Sequence, residues 1–324
     1  MKNYSVKIYQ ESDYNHWNAF IDTAKNATFL FHRDFMEYHK DRFQDYSLIV
    51  LDGEKWVAVL PANRVENEVF SHQGLSYGTV IVQKGIRIEE YLSVIREIMF
   101  HLVQNKIDFI SIKLLPGIYN KTLSDELDYV SFLMNAIVYR SDIYMVIDGG
   151  QAYKPNRNRK RALKIANDLE IEMQEDNNYI GFWNEILIPN LKNRFDVLPV
   201  HSLNEITDLA KVFPYNIKLF NAYSSGVLKA GVVVFIMENV AHFQYSSGAD
   251  DRNDTAALDV LFDFIIRKFS NKKYVSFGSS SENEGLVLNK GLVYWKESFG
   301  ATATVQSFLK FETKNYKKLE SFIL

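Results

Sequence analysis

The residues best suited to moving protons and stabilising charge lie between Val240 and Gly300. His242 and Tyr245 stand in VAHFQYSSG, an apolar and aromatic run with small polar residues interleaved. A neutral imidazole can deprotonate an attacking amine, and a phenol can protonate a leaving group. Downstream, the ammonium of Lys296 can bind a phosphate or stabilise an oxyanion. Each also has a plainer reading, as a satisfied buried polar side chain or a solvated amine. Ser246, Ser247 and Gly248 lead into a polar loop ending at Asp254, and a helical pattern opens at Thr255. Strand, polar loop and helix N-terminus in that order present backbone N–H groups to an anion, so these four residues and Arg252 are the expected cofactor contacts.

A second group is basic. Lys154, Arg157, Arg159, Lys160, Arg161 and Lys164 place six positive charges within eleven residues. Such a cluster can hold the diphosphate of a nucleotide-linked substrate, coenzyme A or a tRNA stem, with Arg157 and Arg161 as its named contacts. It equally suits a solvated helix face. In the first half, SHQGLSYG offers His72, Gln73 and Tyr77 to read an acceptor, although a polar Gly-containing loop also suits an ordinary connection. Arg194 and His201 bracket Pro199 and can point into the same cleft. The seven His show no metal-ligand spacing, so no metal site is expected. P-loop, zincin and α/β-hydrolase signatures are absent, and Ser279–Ser281 reads as a turn.

These residues need elements to position them. Val240 to Ser247 reads as a buried strand, which by alternation puts His242 and Tyr245 on opposite faces. Leu258, Leu261, Phe262, Ile265 and Phe269 form one stripe of a helix, and Tyr274 to Gly278 a following strand. Helices are also expected over Tyr14–Thr23, Phe35–Phe43, Glu89–Gln104, from about Asn156, over Tyr179–Phe195 with an interruption at Pro189, and over Leu203–Phe213, the last with Ser202 and Glu205 as a capping box. Hairpins are expected at Ser47–Asn63, turning on Asp52-Gly53, and at Ile217–Met237. Gly149-Gly150 breaks the chain, and the domain boundary is placed there, giving 1–150 and 151–324.

The two halves read as a repeat. The hairpins correspond, SHQGLSYG matches AHFQYSSG, helix 89–104 matches the helix from Thr255, and QNKIDFISIK matches SNKKYVSFGS. Several elements matching in order argue for duplication more strongly than one motif does.

The 324-residue chain has the apolar and charged fractions of a soluble globular protein, 47% and 24%, with 23 Phe and 19 Tyr to build large cores. It has no cysteine, which excludes disulfides, thiolate metal sites and cysteine nucleophiles. A net charge of −3 argues against a broad nucleic-acid footprint. The first residues lack the apolar core of a signal peptide and no run approaches a membrane span, so a cytoplasmic protein is expected.

Two tandem strand–loop–helix–strand units resemble the doubled GNAT-type (Gcn5-related N-acetyltransferase) fold of the FemAB-like acyltransferases, relatives of the Fem-type peptidoglycan-bridge aminoacyltransferases. The likeness covers nearly the whole chain. FHRDFMEY, LPAN, SHQGLSYG, RNRKRALKIA, PVHSLNEI, HFQYSSG and LNKGLVYWKESFG carry it, the last through Lys296, Phe299 and Gly300 as a K-x-x-F-G ending. It implies an α+β protein of two GNAT-like subdomains with mixed sheets flanked by helices and a transfer site in the cleft between them. The acceptor would lie on the first subdomain and the donor on the second. It further implies acyl transfer to an amine, with acyl-coenzyme A as donor, onto a small-molecule or nucleotide-linked acceptor such as a cell-envelope sugar or peptide precursor. Aminoacyl-tRNA is the alternative donor, and an inactive binding module the alternative of a different class. GNAT enzymes carry a pyrophosphate loop [QR]-x-x-G-x-[GA]; the nearest match, Arg252 to Ala257, has Thr255 in place of Gly. Asp250, Asp251 and Asp254 surround it and would repel a pyrophosphate.

Overall fold

A computed structural model describes residues 4–251 and 255–322. The chain forms two compact units, one of residues up to Asp142, Glu284–Leu286 and Val305 onward, the other of Ile143–Asn283 and Val287–Thr304. The change of unit therefore falls at 142/143 rather than at Gly150, and the C-terminal stretch belongs with the first unit.

In the first unit, β1 (Tyr4–Ile8), β2 (Leu48–Asp52) and β3 (Lys55–Leu60) are followed by a miniature hairpin of β4 (Asn63–Val65) and β5 (Glu68–Phe70), then by β6 (Ile81–Val82). The β2–β3 turn needs Gly53, whose φ of +63° few other residues adopt cheaply. A helix, Ile88–Gln104, leads to β7 (Phe109–Lys113). Its apolar stripe buries Tyr91, Leu92, Ile95, Ile98, Met99 and Leu102, and the Arg87 N–H donates to the Glu90 carboxylate (3.0 Å) at its start. One antiparallel sheet runs β1-β2-β3-β6, and β4, β5 and β7 lie consecutively in another.

The second unit takes its first strand from β8 (Ile137–Asp148), then β9 (Glu172–Asp176), β10 (Ile217–Ser224), β11 (Val227–Ile236), β12 (Val240–Gly248) and β13 (Tyr274–Ser279). Their order is β8-β13-β12-β11-β10-β9, and only the β12–β13 pair is parallel. Helix Ala257–Lys268 joins β12 to β13, the right place for a crossover between parallel neighbours. Helix Arg157–Asp168 is capped by Asn156, which accepts the Arg159 N–H (3.1 Å), and Leu203–Val212 carries the expected Ser202–Glu205 box. The run from Tyr179 to Phe195 is helical throughout, with a π-helical stretch, Phe182–Leu187, in its middle; Pro189 does not interrupt it, because it sits in the first turn of Ile188–Phe195. A short pair, β14 (Ser281–Glu282) and β15 (Val287–Leu288), precedes helix Lys290–Glu297 and β16 (Thr302–Glu312).

The far half of β16 explains the return to the first unit. Phe308–Glu312 pair antiparallel with Phe109–Lys113 of β7, and Phe311 and Leu319 are fully buried among Ile95, Ile98 and Ile110. The repeat holds for the helix and the strand after it, but SHQGLSYG is not a strand. Its His72 is left-handed at φ +63°, and its match to β12 reduces to one parallel bridge, Gly78 to Leu114 beside β7. Packing explains this: a Cβ on Gly74 would lie 1.8 Å from His39 Nε2, and one on Gly78 2.2 Å from the Ser71 carbonyl. The expected helix over Phe35–Phe43 is two short turns, Arg33–Met36 and Glu37–His39. Among the described residues no helix is long and apolar enough to cross a membrane.

The placement of the last strand predicts that Phe311→Ala will destabilise the first unit by about 3–5 kcal/mol. Urea denaturation with hydrogen exchange on Phe109–Lys113 checks this, and unchanged protection of those amides would contradict it.

Candidate active site

The site is built on β12, whose two neighbours treat it differently. With β13 it pairs over three positions only, Val240↔Tyr274 to His242↔Ser276. With β11 it stays paired to Gly248, through a bulge that sets Phe243 opposite Val234 and Tyr245 opposite Val233. Gln244 is the extra residue, and it resets the alternation. His242 pairs with Phe235 and Tyr245 with Val233, so the two share a face instead of lying on opposite ones.

The bulge also redirects the main chain. Ahead of it the Asn239 carbonyl accepts the Tyr274 N–H (3.0 Å) toward β13, while the Val240 carbonyl accepts from Met237 on the β11 side. Past it the Ala249 N–H donates to Lys229 of β11 (2.8 Å). By alternation, the peptide groups of Ser246 face the side that β13 has left.

Tyr245 points at His201. Its hydroxyl lies 2.6 Å from His201 Nδ1 and accepts the His201 backbone N–H at 3.2 Å. Burial pushes the phenol up to about 12, so it keeps its proton at neutral pH and donates it to Nδ1. Trp183 packs edge-on against the Tyr245 ring (5.2 Å between centroids), and its indole N–H donates to the His201 carbonyl. His201 was expected only as a substrate contact, and nothing in the spacing of residues 201 and 245 announces their pairing.

Lys296 is 4% exposed. It sits in the last turn of helix Lys290–Glu297 and donates to the carbonyls of Gly278 (3.1 Å) and Ser279 (2.7 Å) at the end of β13. Burial brings its pKa down to about 7. His242 stands beside it, with Nδ1 3.2 Å from Ser276 Oγ. Burial first, and the Lys296 charge second, lower the imidazole to about 4, so it is neutral at physiological pH.

A cavity of about 420 Å³ occupies the gap between the diverging strands. Phe243 to Ser246 of β12, Phe277 and Ser279 of β13, Leu292, Trp295 and Lys296 form one side, and Leu187, Leu191 and Val197–Val200 the other. Tyr245, Ser246 and Lys296 thus meet at one void whose walls all belong to the second unit; His242 lies just outside its lining.

The expected cofactor contacts behave unequally. Ser247 Oγ and the Gly248 carbonyl both accept from Asn190 Nδ2 (2.7 and 2.6 Å), which ties β12 to the helical run. Thr255 Oγ1 donates back to the Asp251 carbonyl, and Asp251 pairs with Lys229 (2.6 Å). Arg252 lies outside the described residues. A second cavity, about 460 Å³, opens between the basic helix and the start of helix Ala257–Lys268. Arg161 lines it and is exposed, as is Arg157 nearby, whereas Arg159 is ion-paired with Asp259. Asp259 also accepts the Trp295 indole N–H (2.9 Å), and Trp295 is common to the walls of both cavities. Arg194 is exposed on helix Ile188–Phe195.

The first-unit candidates are tied to neighbouring parts of their own unit. The Gln73 side chain accepts from Asn63 Nδ2 (2.9 Å) and its backbone N–H donates to Asn63 Oδ1 (2.8 Å). Tyr77 is buried and donates to Thr28 Oγ1 (3.0 Å). His72 is buried against Phe43 and His39, and burial lowers it to about 4.

By sequence the chain matches no protein-family model and no curated protein. By structure it is similar to FemX (TM-score 0.65, 10% identity, 99% of this chain and 100% of that one). It is also similar to L-PGS from Bacillus licheniformis (TM-score 0.56, 12% identity, 98% and 99%). A third likeness is to a tandem GNAT protein from the clavulanic acid biosynthesis pathway (TM-score 0.53, 9% identity, 96% and 99%). The mixed α+β architecture is therefore the tandem GNAT fold shared with FemX, as the sequence resemblance implied.

Proposed function

We propose that the chain is an acyltransferase that moves an acyl group from a thioester donor onto an amine in the 420 Å³ cavity of the second unit. The observation that carries this reading is the divergence of β12 from β13 at His242, with Tyr245, Lys296 and the Ser246 main chain facing the gap. A neutral amine attacks the donor carbonyl, and its electron pair moves onto oxygen. The Ser246 N–H and the Lys296 ammonium stabilise that oxyanion; two of the three Lys296 protons are already committed to Gly278 and Ser279, which aims the group. The nitrogen then loses a proton to the Tyr245 oxygen as the phenol passes its own to His201 Nδ1. Collapse breaks the C–S bond and releases the thiolate. No covalent enzyme intermediate is needed.

The donor's phosphates belong, on this reading, at the 460 Å³ cavity beside Arg157 and Arg161, with Trp295 between them and the acyl site. Acyl-coenzyme A is the donor we propose. The acceptor class we propose is an amine on a cell-envelope sugar or peptide precursor, carried over from the Fem-type resemblance. Thiol release from acyl-coenzyme A compounds in the presence of such amines is the direct test, and its absence across the panel would refute the reading.

Lys296→Ala should lower turnover on the order of 10²-fold while leaving the circular dichroism unchanged. The cationic form, populated below the Lys296 pKa of about 7, is the active one. Wild-type turnover should therefore fall as pH rises through that value, and the limb should vanish in the variant. A wild-type rate in Lys296→Ala would exclude the role.

Tyr245→Phe keeps the ring packing against Trp183 but removes the relay, so kcat should drop roughly 10²-fold with little change in KM. An equal loss from His201→Asn is expected, since both substitutions break one chain. Should Tyr245→Phe alone be silent, the relay is wrong.

Reversing Arg157 and Arg161 to Glu together should weaken acyl-coenzyme A binding and flatten its dependence on salt. Both side chains are exposed, so stability should hold. Unchanged affinity at low ionic strength would reduce the cluster to a solvated face.

A further inference from the structure

An acetyl group would fill little of the 420 Å³ cavity, since a void of ~150 Å³ already takes a benzene ring. The walls are mostly apolar, from Leu187 and Leu191 to Phe262 and Trp295, with neutral Gln244, Tyr245, Ser246 and Ser279 on the strand side and Lys296 the single charged side chain among the lining residues. At the mouth, Val197, Leu198 and Val200 are 50%, 68% and 70% exposed, an apolar rim that the folded chain leaves in water. Apolar surface continuous with polar reacting groups marks a ligand groove more than a structural need.

Charge narrows the occupant further. A protonated amino group on the carbon next to the thioester carbonyl would enter beside the Lys296 ammonium with no carboxylate in the lining to receive it. Desolvation and like charge both oppose that placement. A hydrocarbon chain meets no such penalty and gains with every methylene it buries.

We propose that this cavity selects an uncharged hydrocarbon acyl group of roughly six to ten carbons over both an acetyl and an α-aminoacyl group. The inference rests on the reading of the cavity as the acyl-transfer site.

The test uses N-acetylcysteamine thioesters of acetate, butyrate, hexanoate, octanoate and 2-aminooctanoate, which carry the reacting end without the nucleotide. Binding to the 324-residue chain is measured by calorimetry. Affinity should rise roughly two- to fourfold per methylene from acetyl to octanoyl, and 2-aminooctanoyl should bind on the order of tenfold more weakly than octanoyl. Leu198→Glu, on the exposed rim and so compatible with folding, should flatten the series. A flat wild-type series, an aminoacyl thioester as tight as its parent, or an unaltered slope in Leu198→Glu would each overturn the proposal. The matching coenzyme A thioesters separate it from the donor reading. If they bind no tighter than the short thioesters while the chain-length series holds, the selection stands and the phosphate site at the basic helix fails. If the series holds and no amine is acylated, the selection likewise stands and the transferase reading fails.

Discussion

Two parallel strands that stop pairing after three residues are the constraint on which the second unit's site depends. A strand edge exposes peptide groups that must find partners or face a polar void. β12 meets that requirement on one side by keeping β11 as far as Gly248. On the other side it turns peptide groups into the gap that β13 vacates. The bulge at Gln244 is the local device, since one inserted residue sends Tyr245 to the face of His242 and turns the Ser246 main chain outward. Asn190 then holds the end of β12 by bonding both Ser247 and Gly248, so the gap stays open without the strand fraying.

Lys296 closes the other wall at a cost to stability. A buried ammonium without a carboxylate partner is disfavoured, and its depressed pKa expresses this. The unfolded chain holds the proton up to the ordinary lysine range and the native chain gives it up near 7. The penalty is therefore full below about pH 7 and is relieved as pH rises toward 10.5. Two carbonyl acceptors from β13 offset part of it. Those carbonyls are accessible because Gly278 takes φ +69°, in the stretch between Ser276 and Ser279 where the β13 register with β8 shifts. The same irregular strand end thus opens the cavity and orients its cation.

Much of this architecture was legible from residue types. Helix Tyr14–Thr23, the Asp52-Gly53 turn, the Ser202 box and the strand–helix–strand around residue 258 all follow from local rules of period and capping. The resemblance to the doubled GNAT fold rested instead on motifs matched to a known family, and it is the fold that the structural likeness bears out. The sequence could not display the bulge, because HFQYSSG reads the same whether or not Gln244 is left out of the pairing, and alternation then assigns His242 and Tyr245 to opposite faces. The pairing of Tyr245 with His201 joins a strand to a loop far away in sequence, beyond any periodic signal. SHQGLSYG looked like a second copy of HFQYSSG for the converse reason. Its letters match, but Gly74 and Gly78 serve close packing against His39 and Ser71.

Acidic charge opposes an anion at the loop after β12. The loop after β12 carries Asp250 and Asp251, and Lys229 answers only one of them. Ala256, at the helix start, is itself left-handed at φ +52°, a conformation that a Gly in this stretch would adopt without strain. The basic helix shares a cavity wall with that helix start, and its own start is held to helix Lys290–Glu297, the Asn156 N–H donating to the Ser298 carbonyl (2.9 Å) and Asn158 Nδ2 to the Tyr294 hydroxyl (3.1 Å). Arg159 pairs with Asp259, while Arg157, Lys160, Arg161 and Lys164 stay exposed. Positive charge thus lies on side chains of a neighbouring helix, near the N-terminal dipole end of helix Ala257–Lys268. A GNAT-like fold can in this way carry exposed cationic side chains on a cavity that shares Trp295 with the 420 Å³ cavity at β12.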